Sequence, residues 1–137
     1  MAIVFGDSTT RDERLQWAPD QAIRAIRTTA PDEIATVWTA MNDQLQAAGV
    51  PIAALEMAIM FWSHALDGLQ PGQAVPAERL ARLDRELAIN HQGLPSLERW
   101  MAALRAHAAV AEDLDWIIQF LMQARQTWLL AGALRPR

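Results

Sequence analysis

The chain contains no cysteine, no lysine and no tyrosine, and only three of its 137 residues are serine: Ser8, Ser63 and Ser96. Without cysteine there is no thiol nucleophile, no disulfide framework and no thiolate-ligated zinc. Without lysine there is no Schiff base and no Walker A motif, whose lysine reaches the phosphates of a bound nucleotide. The six glycines stand singly, so no glycine-rich loop cradles a phosphate, and no serine sits in a Gly-x-Ser-x-Gly elbow. All 12 basic residues are arginine, and the net charge is −4. That balance argues against a nucleic-acid partner, because phosphate binding needs clustered positive charge.

Long hydrophobic runs are missing too. Hydrophobic residues make up 52% of the chain and charged residues 20%, which is too apolar for disorder, yet no run approaches the roughly 18 residues of a membrane span. The chain therefore reads as soluble and globular, without a membrane partner. The opening "MAIVFGDSTT" has neither a basic segment nor the apolar stretch of a signal peptide, so a cytoplasmic location is expected.

What is present is helix punctuation. Pro19, Pro31, Pro51, Pro76 and Pro95 each stand just ahead of an amphipathic run, as proline does at the first helical position, where its missing N–H is unneeded. Acidic residues follow at Asp20, Asp32, Glu33, Glu78 and Glu98, facing the positive end of the helix dipole. Gly49, Gly68 or Gly72, Gly93 and Gly132 mark the far ends. These signals predict helices over about 19–28, 31–48, 51–69, 76–90, 95–110 and 113–133. The last two are separable only at Asp113, so one long helix over 95–133 is the alternative. The expected fold is all-α, a compact antiparallel bundle of about five to six helices, because the connections are short. Residues 1–18 are expected to form an arm, extended or briefly helical, and residues 19–137 a single domain.

The stretch "EMAIMFWSHALDGL" carries the most concentrated polar pattern on an apolar helix. At about 100° per residue, Glu56, Ser63 and Asp67 share a stripe about 40° wide, with His64 about 80° round from Glu56. Such a stripe either meets solvent or lines an interior cavity. As a metal site it lacks partners: bundle carboxylate sites need Glu-x-x-His pairs, and the chain has none. No metal and no cofactor is expected.

A second pattern is "RELAINH", in which Arg85 precedes His91 by six residues. The spacing is similar to the Arg-x4-6-His motif of HEPN-type ribonucleases, which are small helical dimers. That resemblance covers the heptapeptide and implies RNA cleavage by Arg85 and His91. Read from the residues alone, His91 between Asn90 and Gly93 sits at a helix C-terminus, where an imidazole caps carbonyls. Arg79, Arg82 and Arg85 alternate with Glu78, Asp84 and Glu86, the pattern of a solvated helix surface.

Six tryptophans, at 17, 38, 62, 100, 116 and 128, fall nearly one to a helix. Each indole N–H wants a partner, which favours positions with one wet edge, at interfaces and pockets. Met57, Met60, Phe61, Trp62 and Trp100 are candidates to wall an apolar ligand site. In the last helix, Trp116, Phe120, Leu121 and Trp128 belong to an apolar arc of about 140°, too wide for one neighbouring helix to cover. Arg125 lies at its edge, where a carboxylate across a subunit contact would satisfy it. The leading expectation is a non-enzymatic protein-interaction module serving an assembly, adaptor or chaperone-like role. It is expected to form a homodimer through Trp116, Phe120, Leu121, Arg125 and Trp128, and to contact a further protein. The alternatives are a ribonuclease-like enzyme and a bundle that binds an apolar ligand.

Overall fold

The computed structural model describes residues 34 to 133, together with Pro19 and Ile23. The arm expected over 1–18 lies outside the described residues, as does the helix over 19–28 apart from Pro19 and the fully buried Ile23. The described residues form five α-helices: α1 (Ile34–Ala47), α2 (Ile52–Leu66), α3 (Ala77–Asn90), α4 (Pro95–Arg105) and α5 (Ala111–Ala133). They pack as an all-α bundle, with α2 seated against α5 and α3, α1 against α5 and α4, and α3 against α4.

Local chemistry sets the helix ends. Pro95 opens α4 at its first helical position, whereas Pro51 and Pro76 sit one residue earlier, as extended N-cap residues with ψ of 146° and 140°. That corrects the expectation that all would stand inside the helix; an extended residue ahead of the first turn suits the fixed φ of proline equally well. α1 closes with the N–H of Val50 on the carbonyl of Leu45 and that of Gly49 on Gln46, a Schellman motif, in which Gly49 takes φ of 75°. α2 ends at Leu66, earlier than expected, because Asp67 is already extended and Gly68 turns the chain with φ of 79°.

Residues 95–133 form two helices. The break over 106–110 is held from two sides. Asp113 Oδ2 accepts the backbone N–H groups of Ala109 and Val110, reaching back across the first turn of α5 as the distal residue of a capping box does. The loop that follows α2 then clips onto this break through an antiparallel bridge between Ala74 and Val110. Val75 donates to the Ala109 carbonyl at 3.1 Å and Ala111 to the Gln73 carbonyl at 2.9 Å. Gly72 N–H adds a 2.6 Å bond to Glu112 Oε1. The end of α2 is thereby tied to the start of α5, and the two helices run antiparallel.

Each of the five packed pairs also carries a polar tie between residues distant in sequence. Arg125 reaches Glu56 between α5 and α2, and Asn42 Nδ2 donates to the Ala124 carbonyl between α1 and α5. Asn90 Nδ2 donates to Ala54 between α3 and α2, Trp100 Nε1 to Gln44 Oε1 between α4 and α1, and Arg105 to Asp84 between α4 and α3. Apolar contact is non-directional, so ties of this kind select one register among the many that bury similar area.

The core between the helices contains Trp62, Trp100, Met41, Leu55, Leu114 and Ile117, all fully buried. Trp100 has its hydrogen-bond partner, but the indole nitrogens of Trp38 and Trp62 are buried without one among the described residues. Burying about 200 Å² of indole at about 25 cal/mol per Å² gains roughly 5 kcal/mol, against roughly 1–3 kcal/mol for an orphaned N–H. Burial wins, which is why Trp62 sits in the core without a wet edge; Trp38 is only partly buried.

Candidate contact face

The side of the bundle where α2 and α5 lie together presents apolar side chains to solvent around an ion pair. Arg125 Nε donates to Glu56 Oε2 at 2.7 Å, with both side chains about two-fifths exposed. On α2 the outward stripe is Ala53, Glu56 and Met60, spaced three and four residues apart. On α5 it is Met122, Arg125 and Leu129 at the same spacing. Met60 is 39% exposed, Met122 46% and Leu129 42%, although a large apolar side chain gains most by being covered. Because the helices are antiparallel, one turn along the groove from the ion pair lie Met60 and Met122, and one turn the other way lie Ala53 and Leu129. On the flank of α5 away from α2, Gln119, Gln123 and Gln126 make a polar border.

This face differs in composition from the expected interface. Phe120 and Leu121 are buried in the chain's own core, and Trp116 stacks on Phe120 with ring centroids 5.6 Å apart. Trp128 is half-buried and packed on the same core. Arg125, expected to need a carboxylate from another subunit, finds Glu56 in its own chain, 69 residues away in sequence. Its neighbours Met122 and Leu129 point outward, as does Leu130 beside them, 54% exposed.

The polar stripe is divided among separate tasks. Glu56 holds Arg125, while Ser63 Oγ donates back to the Ile59 carbonyl of its own helix at 2.8 Å. His64 and Asp67 line a half-open cleft of about 260 Å³ with Arg79, Arg82 and Glu86. Arg79 there donates to the carbonyls of Ala65 and Asp67, so it caps the C-terminus of α2, where a cation also suits the helix dipole. Arg82 pairs with Glu86 one turn along α3. The apolar-ligand set is divided as well. Met57 and Met60 are exposed, whereas Trp62 and Trp100 are fully buried, so the five residues do not wall one cavity. Among the described residues no group of three His, Asp or Glu is placed to hold a metal ion, and no helix is long and apolar enough to cross a membrane.

Arg85 and His91 are not brought together. Six residues on a helix separate them by about 120°; Arg85 is exposed on α3, while His91 caps that helix with 7% exposure. His91 lines a small cleft of about 180 Å³ with Asp84, Glu98 and Met101, among others, and its Nε2 is buried without a partner among the described residues. Burial pushes the imidazole below its ordinary 6.5, against the opposing pull of the Glu98 carboxylate. The fold thus prefers the neutral ring, while the unfolded chain binds a proton more readily. His91 contributes its full stability above pH 6.5, and that contribution is lost as pH falls from 6.5 through the lowered folded value. Melting curves between pH 7.5 and pH 5 are expected to show this loss in the wild type and a shallower fall in His91→Leu; parallel falls would contradict it.

Met122 and Ala53 on this face, and the ties made by Asn42 and Gln44, were not marked out by the sequence, whereas Leu129 extended the apolar arc of the last helix. The seven-residue step from Met122 to Leu129 was the available signal, since it places both on one line of α5. No family model, no curated protein and no solved structure matches this chain, so its activity is read from this face and its chemistry.

Proposed function

We propose that this chain is a non-enzymatic protein-contact module of the assembly, adaptor or chaperone-like kind, working through the α2–α5 face. The observation that carries the reading is the set of exposed Met60, Met122 and Leu129 around the Glu56–Arg125 pair. Methionine suits such a surface because its unbranched, polarizable side chain adapts to the shape of a partner. An apolar centre with an ion pair in it and a glutamine border also has the layout of a protein interface, apolar inside and polar at the rim. The separation of Arg85 from His91 removes support from the ribonuclease reading, and the separation of Met57 and Met60 from Trp62 and Trp100 removes it from the ligand-cavity reading.

Site-specific photocrosslinking in living host cells tests this. A photoreactive residue at Met122 is expected to give a discrete protein adduct, which the same residue at Arg85, on the salt-laced outer surface of α3, does not give. Equal labelling from both positions, or none from Met122, overturns the reading.

A further inference from the structure

We infer that the occupant of the α2–α5 face is a second copy of this chain, related by a two-fold axis that runs along the groove between the helices. The inference rests on the protein-contact reading of the same face and adds the partner and its orientation. Its basis is the charge pattern. The face carries one anion, Glu56, and one cation, Arg125, side by side on adjacent antiparallel helices and exposed to similar extents. An isologous contact brings the same patch against itself, so a patch of this kind must be complementary to its own image.

Only one simple arrangement is complementary. A two-fold axis lying in the contact plane and directed along the groove places α2 of one copy over α5 of the other, and each Glu56 then faces the partner's Arg125. One turn away Met60 meets the partner's Met122, and one turn the other way the small Ala53 meets the partner's Leu129, so large side chains are opposed by flexible or small ones. An axis directed across the groove would instead stack Glu56 on Glu56 and Arg125 on Arg125, which like-charge repulsion disfavours. In the favoured arrangement four alternating charges sit at the centre, each with an opposite charge in its own chain and one across the contact. Burial in the contact strengthens these pairs relative to the exposed pair of the single chain.

The dimensions are suitable. α5 has 23 residues and α2 has 15, giving lengths of about 34 Å and about 22 Å. Laid about 10 Å apart, they offer on the order of 600 Å², approaching the roughly 800 Å² per partner of a standard interface. Gln119, Gln123 and Gln126 then fall at the rim, where their amides remain hydrated or bond across the edge.

Charge reversal and cysteine pairing test the arrangement. The full-length wild type is expected to be dimeric in sedimentation velocity at tens of micromolar. Glu56→Arg makes the face wholly positive and Arg125→Glu makes it wholly negative; each variant alone is expected to self-associate at least about tenfold more weakly. An equimolar mixture of the two is expected to restore the dimer as a heterodimer. Circular dichroism melts of both variants should remain close to the wild type, since the pair lies at the surface. The chain has no native cysteine, so introduced thiols report geometry directly. Met60→Cys mixed with Met122→Cys should form an intermolecular disulfide under mild oxidation. Met60→Cys alone should not, because its two copies lie about 10 Å apart, beyond disulfide reach. A monomeric wild type at 100 μM, two charge variants that stay dimeric, or cross-linking of Met60→Cys to itself each overturns the proposal. A monomeric wild type that still gives a Met122 photoadduct with another protein removes the second copy as occupant while leaving the contact reading in place.

Discussion

Trp100→Ala is expected to cost about 3–5 kcal/mol of stability, a large part of what holds a domain of this size together. The indole is fully buried, and its Nε1 donates to Gln44 Oε1 at 2.9 Å, so one side chain both fills the core and ties α4 to α1. Truncation leaves a cavity that the surrounding side chains fill only in part, and it removes the tie as well. Urea unfolding of Trp100→Ala and Trp100→Phe separates the two effects. The phenylalanine keeps most of the packing and loses the hydrogen bond, so it is expected to cost about 1–2 kcal/mol. A loss below about 1 kcal/mol for the alanine variant would mean that Trp100 does not occupy the core as described.

Asn42→Asp is expected to be comparably damaging at neutral pH, at about 3–5 kcal/mol, although it changes one atom type on one side chain. Asn42 is almost fully buried on α1, and its Nδ2 donates to the Ala124 carbonyl of α5 at 2.7 Å, while its Oδ1 has no partner among the described residues. An aspartate there turns the donor into an anionic oxygen, buried and facing a carbonyl. The proton-bearing carboxyl can donate in the amide's place, so the defect should shrink as pH falls toward 5. Asn42→Leu removes the donor and the orphaned Oδ1 together, and is expected to cost only about 1 kcal/mol because the Ala124 carbonyl keeps its own helical N–H. Chemical unfolding of the three proteins at pH 8 and pH 5 measures the contrast. Equal destabilisation by Asp and Leu would show that burial of charge is not what matters at this position.

These two residues also show why part of the molecule was legible in advance and part was not. Trp100 is bulky and apolar, and the spacing of Leu97, Trp100, Met101 and Leu104 puts it on the buried face of α4 without knowledge of any neighbour. Asn42 gives no such signal. In sequence it is one of several polar residues on the helix, next to Asp43 and Gln44, and its burial follows from the position of α5, whose carbonyl meets it 82 residues later. The candidate face divides in the same way. The wide apolar arc of α5 was visible, but a helical projection treats Ile118 and Leu129, about 20° apart, as adjacent members of that arc. In the bundle one is buried and the other nearly half exposed.

By itself the sequence determined the properties that depend on a few consecutive residues. These are the all-α class, the approximate course of the described helices and the chemistries closed by the absence of cysteine and lysine; whether 95–133 is one helix or two stayed open until the structure showed the break over 106–110. Helix capping, proline stereochemistry and 3.6-residue periodicity act within one or two turns, so their effects can be read along the chain. The tertiary structure alone decided which side of each apolar arc stays uncovered and that Arg125 is answered by Glu56 in the same chain. Those outcomes turn on helix register and on hydrogen bonds between groups up to 82 residues apart. Such bonds form only where the packing of other helices brings donor and acceptor within about 3 Å of one another.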